Sequence, residues 1–192
     1  AAGNVETSQR NVDTLLKAFA RMIPEQICAA SQGTMNNVTV GGDEPSLGRW
    51  SFYETIGGGM GAAMAVDGAD GVQVHMTNTM NTPIETIEKS YPIRLIEYGL
   101  RTDSGGPGKW RGGTGIERTW TLLAEEASVS VLAERNRIPP WGLEGGKSGG
   151  LGEYMLLAQN GEKRRLRSKS SFQMRRGDSL IIRTPGGGGY GN

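Results

Sequence analysis

The chain has 192 residues, and its 21 Lys and Arg balance 20 Asp and Glu to a net charge of +1, which argues against a global electrostatic pull toward nucleic acid or an anionic membrane. A single cysteine, Cys28, excludes an internal disulfide and a thiolate zinc cluster, and a single histidine, His75, excludes HExxH metalloprotease and three-His zinc sites built from this chain alone. Thirty-one glycines give more than twice the usual share of about 7%, without a Gly-X-Y period, so they indicate many tight turns in a folded chain rather than collagen. No apolar run approaches the roughly 20 residues of a membrane span. No N-terminal stretch has a signal-peptide pattern, so the cytoplasm is the expected compartment. The chain begins Ala1-Ala2-Gly3 without an initiator Met, which suits a processed product or a piece of something longer.

Residues 7–22 read as a helix. Val12, Leu15, Leu16, Phe19 and Met22 recur at three- and four-residue spacing and form one apolar face, Thr7 or Ser8 can cap the start, and Pro24 closes the end. A short second helix is expected over 24–30. Residues 36–40 and 50–56 then read as strands, 57–64 as a flexible small-residue stretch, 72–76 as a short strand, 77–83 as a polar loop and 84–90 as a helical turn. From Tyr91 the pattern is β, with strands expected at 93–101, 115–123, 127–134, 152–158 and 179–184, where Ser128-Val129-Ser130-Val131 alternates cleanly. The expected fold class is therefore α+β. An N-terminal helix and mixed lobe over 1–90, continuing a larger upstream domain, precede a β-rich, sandwich- or barrel-like lobe over 91–192.

Gly57-Gly58-Gly59-Met60-Gly61-Ala62 can be bent into a dinucleotide fingerprint, but Asp67-Gly68-Ala69-Asp70-Gly71 interrupts the long helix that such a site needs. A glycine turn packed close to another backbone is the simpler reading. Gly145-Gly146-Lys147-Ser148 ends like a P-loop, yet Trp141 stands where the first glycine belongs, so a β-turn is expected. Residues 163–176 hold seven basic side chains and no acid, with Phe172 the only aromatic. An edge strand protected by charge suits them better than a nucleic-acid surface, and contact with an acidic partner is the minority reading. Polar groups gather beside apolar strands at Asn36, Asn37 and Glu54 and in Val74-His75-Met76-Thr77-Asn78-Thr79. Such density is either a buried network or a site, so these groups are expected to converge or to lie along one interface.

Several segments then occur in a recognisable order: Gly3-Asn4-Val5-Glu6-Thr7-Ser8-Gln9-Arg10, Ser31-Gln32-Gly33-Thr34-Met35-Asn36-Asn37, Tyr53-Glu54-Thr55-Ile56-Gly57-Gly58-Gly59 and His75-Met76-Thr77-Asn78-Thr79. They are followed by Glu88-Lys89-Ser90-Tyr91-Pro92, Gly112-Gly113-Thr114-Gly115, Glu134-Arg135 and Thr184-Pro185-Gly186-Gly187-Gly188-Gly189-Tyr190-Gly191. Over essentially the whole chain this set resembles the C-terminal part of the hydantoinase B/oxoprolinase family, which includes subunits of acetone and acetophenone carboxylases.

The resemblance implies an ATP-dependent enzyme of two parts. An A-type part, similar to actin-like ATPases, handles ATP with Mg. The B-type part carries the site for a cyclic amide, which is phosphorylated on oxygen and opened by water. In the carboxylase branch a ketone enolate is phosphorylated instead, and a third reading is a non-catalytic structural or assembly module. The resemblance further implies that Asn36, Asn37, Glu54, His75, Asn78, Thr79 and Arg135 line the site or an interface. The family's divalent-metal region lies upstream and has no counterpart here, so no cofactor or tightly held metal is expected on this chain. The expected partners are the rest of the B-type subunit, the A-type ATPase and the small-molecule substrate, not nucleic acid or membrane.

Overall fold

A computed structural model describes residues 5–192, so Gly3 and Asn4 of the first motif lie outside the described residues. Helix α1 spans Val5–Phe19. Its apolar stripe does not face the core: Leu15, Phe19 and Met22 are 58%, 45% and 68% exposed, whereas Gln9 and Asp13 are buried. Periodicity identifies a stripe but not what covers it, and here the helix docks through polar groups. Gln9 Nε2 donates to Val74 O at 3.0 Å and to the Thr77 hydroxyl at 3.3 Å. The expected second helix shortens to a single 3-10 turn at Pro24–Gln26. Ile27 is already extended, and Ala29 and Ala30 donate their N–H groups to Ala62 and Trp141, which draws the chain out of the helix.

Two antiparallel sheets follow. The first orders β2 (Gly48–Glu54), β1 (Asn37–Glu44), β5 (Glu126–Leu132) and β8 (Lys169–Arg175) side by side. The second orders β3 (Ile93–Leu100), β4 (Ile116–Leu122), β9 (Ser179–Arg183), β6 (Glu153–Leu157) and β7 (Lys163–Arg165). Their inner faces share one core, with Val38, Val40, Phe52, Val129 and Val131 on one side and Trp120, Leu122, Tyr154, Leu180 and Ile182 on the other. Phe52 and Trp120 meet edge to face across it, ring centroids 5.5 Å apart. The molecule is thus α+β, and its β part is an open two-sheet sandwich rather than a closed barrel.

The division expected at residue 91 runs through the first sheet. β1 and β2 come from before it and β5 from after it, with Val38 opposite Val131. Helix α2 (Ile84–Ser90) leads into β3. The strand expected at 72–76 is reduced to an isolated bridge between Gly58 and Val72. His75 takes a left-handed backbone, φ 55°, which no strand accommodates. The basic stretch 163–176 supplies β7 and β8, each at an edge of a different sheet, where cationic side chains deter pairing with another chain.

Below the sandwich the chain runs in extended segments bonded main chain to main chain. Residues 185–191 lie in their midst. Gly188 donates to Ala30 and accepts from Ala62, Gly187 donates to Gly113 and accepts from Gly106, and Gly189 donates to Lys147 and accepts from Leu143. Such close approach needs glycine: a Cβ built on Gly59 would lie 1.9 Å from Gly113 O, and one on Gly187 would lie 2.0 Å from Met60 O. The glycine-rich 57–62 segment is therefore a backbone contact surface.

Candidate functional site

Three charged side chains, Arg10, Asp13 and Arg135, meet a histidine, His75, at the buried face of α1. Asp13 sits one helical turn beyond Gln9 and directs its carboxylate inward. Its Oδ1 accepts from His75 Nε2 at 3.0 Å. Its Oδ2 accepts from Arg135 Nη2 at 2.6 Å and from Arg10, three residues earlier on the same helix. Arg10 also donates to the Gly33 carbonyl. Burial pushes the Asp13 carboxyl up, but the His75 hydrogen bond and the charges of Arg10 and Arg135 outweigh it and hold the carboxyl below its ordinary value. The His75 and Arg135 side chains are 12% and 6% exposed.

Both residues that reach Asp13 from afar carry a left-handed backbone, φ 55° at His75 and φ 63° at Arg135. A non-glycine residue held there costs about 1–3 kcal/mol and persists only where its surroundings over-determine it. Two such residues meet on this one carboxylate. Beside it opens a cleft of about 640 Å³, to which Arg10, Asp13 and Arg135 contribute together with Lys17, Arg137 and Trp141.

The seven residues expected to line a site fall into separate networks. His75 and Arg135 meet at Asp13. Asn36, also left-handed at φ 48°, is buried under the second sheet. It donates to Gln32 at 2.6 Å and to Ile56 O at 2.9 Å, and it accepts from the Tyr154 hydroxyl at 2.7 Å. Glu54 pairs with Arg118 and accepts from the Thr82 N–H at 2.5 Å. Thr79 joins the same loop to β2 through the Thr55 hydroxyl. Asn37 accepts from the Tyr53 hydroxyl at 2.9 Å on the strand surface, and Asn78 is exposed in the loop. Asn36, Asn37, Glu54, His75 and Asn78 therefore do not share one hydrogen-bond network among the described residues.

Two charged residues are absent from the expected set. Asp13 looks like part of a solvated helix face, since its partners lie 62 and 122 residues away. Arg118 was legible in principle, because Ile116, Arg118, Trp120 and Leu122 alternate on the inward face of β4. Its guanidinium lies 4.5 Å from the Tyr98 ring centroid and 5.2 Å from that of Trp120.

Among the described residues no group of three or more His, Cys, Asp and Glu side chains is placed to hold a metal. The Asp13 oxygens are already engaged by three nitrogen donors, so this cluster does not fit a metal ion. The 145–148 stretch makes no phosphate cradle, since Gly146 and Lys147 donate their N–H groups to Leu143 and Pro107. No described helix is long and apolar enough to cross a membrane.

The chain is 50% identical over 192 residues to an uncharacterised protein of Methanocaldococcus jannaschii, covering all of this chain and 33% of that protein. It is 45% identical over 189 residues to a 5-oxoprolinase of Dictyostelium discoideum, covering 98% of this chain and 14% of that enzyme. Its fold is similar to that of an ATP-dependent caprolactamase from Pseudomonas jessenii, with a TM-score of 0.79 at 25% identity over 91% of this chain and 32% of that one. The chain thus spans a third or less of the length of these relatives. The hydantoinase B/oxoprolinase description matches residues 1–192 without a break, and the chain belongs to that family.

Proposed function

We propose that this chain is the C-terminal portion of the B-type subunit of an ATP-dependent enzyme that hydrolyses cyclic amides. The observation that carries the reading is the meeting of His75 and Arg135, both in left-handed backbone, on the buried Asp13 beside a cleft. An ionised carboxylate only accepts hydrogen bonds, so the proton between Asp13 and His75 resides on Nε2, and Nδ1 is the basic ring nitrogen. Asp13 is a positioning residue: it fixes the imidazole tautomer. Nδ1 can then take a proton from the water that opens the ring. Arg135 supplies fixed positive charge where an anionic intermediate develops. MgATP, held by an A-type partner subunit, supplies the phosphoryl group that activates the carbonyl. A divalent metal belongs to the part of the B-type subunit outside this chain. Cytoplasmic operation accompanies the use of ATP.

The test is ATP-dependent 5-oxoproline hydrolysis by the complete two-subunit enzyme. His75→Ala is expected to lower kcat by about a hundredfold or more, as for loss of a general base, assayed below a thermal midpoint that the lost Asp13 hydrogen bond lowers by only a few degrees. Unchanged kcat across the pH profile would remove His75 from the mechanism.

A further inference from the structure

We infer that the cleft beside α1 binds a small organic anion, headed by a carboxylate or phosphate and carrying a flat or apolar body. The inference rests on the same cleft as the amide-hydrolase reading and names the class of ligand it holds; its test reads binding, so it can fail separately from the catalytic role of His75. The cleft, about 640 Å³, lies within the roughly 300–1,000 Å³ typical of small-molecule sites. Four cationic side chains line it: Arg10, Lys17, Arg135 and Arg137. The two acids on the same wall are already engaged. Asp13 is held by His75, Arg10 and Arg135, and Glu134 is paired with Lys169 Nζ at 2.5 Å. Among the described residues Lys17 and Arg137 take part in no ion pair. The cleft therefore holds a positive excess that nothing on its own wall neutralises.

The donors point the same way. Arg10 Nε and Arg135 Nε are buried without a hydrogen-bond partner. An unmet buried donor costs about 1–3 kcal/mol, more on a charged group, so two beside one cleft favour an incoming acceptor. The Arg135 side chain is more than nine-tenths buried, and its donations to Pro139 O at 3.1 Å and to Asp13 at 2.6 Å hold the fork in place before any ligand arrives. The body of the ligand has its own wall. Lys17 Nζ stands 5.9 Å from the centroid of the Trp141 ring, and Ile138 is 73% exposed at the same cleft. A planar or apolar group can lie against these side chains while its acid head meets the guanidinium groups. The concave shape and the near-neutral chain select a small anion over a polyanion.

Isothermal titration of the 192-residue chain at low salt tests this with three probes: benzoate, inorganic phosphate and the uncharged isostere benzamide. Benzoate or phosphate should bind saturably, weaken as salt is added, and exceed benzamide by about tenfold or more, the value of one charge-assisted hydrogen bond. Benzoate above phosphate assigns a carboxylate ligand with a flat body, and the reverse order assigns a phosphate head. Arg137→Ala and Lys17→Ala are exposed changes that leave the buried network intact, and each should weaken the preferred anion several-fold at an unaltered thermal midpoint. No saturable binding of either anion, equal binding of benzamide, or full affinity in both variants overturns the proposal.

Discussion

Replacing Gly187 by alanine isolates the role of the glycine-lined backbone segments. The added Cβ would lie 2.0 Å from Met60 O, 2.3 Å from Met60 C and 2.7 Å from Gly61 N, all backbone atoms. Real Cβ atoms essentially never approach closer than 3.0 Å, so the two segments must part by about 1 Å or more. Three main-chain hydrogen bonds depend on their present spacing: Gly187 to Gly113, Gly106 to Gly187 and Gly113 to Met60, each 2.8 Å. Lengthening them by about 1 Å takes them out of hydrogen-bonding range. At about 1–3 kcal/mol for each of the three buried hydrogen bonds lost, the loss is about 3–9 kcal/mol, comparable with the whole stability of an ordinary domain at about 5–15 kcal/mol. Gly99→Ala is the control, since nothing lies within 4 Å of its added Cβ in β3, and it should change stability by no more than about 1 kcal/mol. Urea unfolding followed by tryptophan fluorescence and far-ultraviolet circular dichroism measures both. A Gly187→Ala protein that unfolds within about 1 kcal/mol of the parent, or level with Gly99→Ala, refutes the reasoning.

Two further predictions concern charged groups. Glu54→Ala strands the fully buried Arg118 and should cost about 3–5 kcal/mol in urea unfolding, whereas Glu54→Leu with Arg118→Met should recover most of it; a single-variant loss below about 1 kcal/mol contradicts a buried charge pair. The Asp70 carboxyl is held down at about 2, first by its hydrogen bond from Arg111, against burial, and then by the Thr114 N–H and the Arg111 charge. With the folded value below the unfolded one, its contribution is full above about pH 4 and is lost as pH falls toward about 2, so Asp70→Asn should flatten that part of the thermal midpoint's acid decline.

The strands of the sandwich were legible because alternation is a local property. In β5, Ala127, Val129 and Val131 are buried while their neighbours face outward, as the Ser-Val repeat implies. The helix was equally visible, but its orientation was not. The stripe of Leu15, Phe19 and Met22 carries no information about which neighbour covers it, and the buried face is set by polar partners distant in sequence. His75 and Arg135 could be singled out as polar groups in unusual surroundings, yet the carboxylate that joins them could not, because an aspartate in a helix ordinarily faces water. The glycines announced turns. What they make is extended backbone in mutual contact, and nothing in a run such as 186–189 names the segments it will touch.

The position of residues 185–191 also orders events during synthesis. Their main chain bonds to Ala30, Gly59, Ala62, Gly106, Trp110, Gly113, Leu143 and Lys147, stretches made from the first sixth of the chain to its last quarter. A ribosome adding about 5–20 residues per second releases all of these partners before it releases the segment that joins them. Until then the glycine-rich stretches can bond only to water or to one another, and the strands above them lack their lower support. These long-range contacts therefore form late and together, so a nascent chain stalled before Pro185 exposes a surface to chaperones and proteases that is covered once residues 185–191 have emerged.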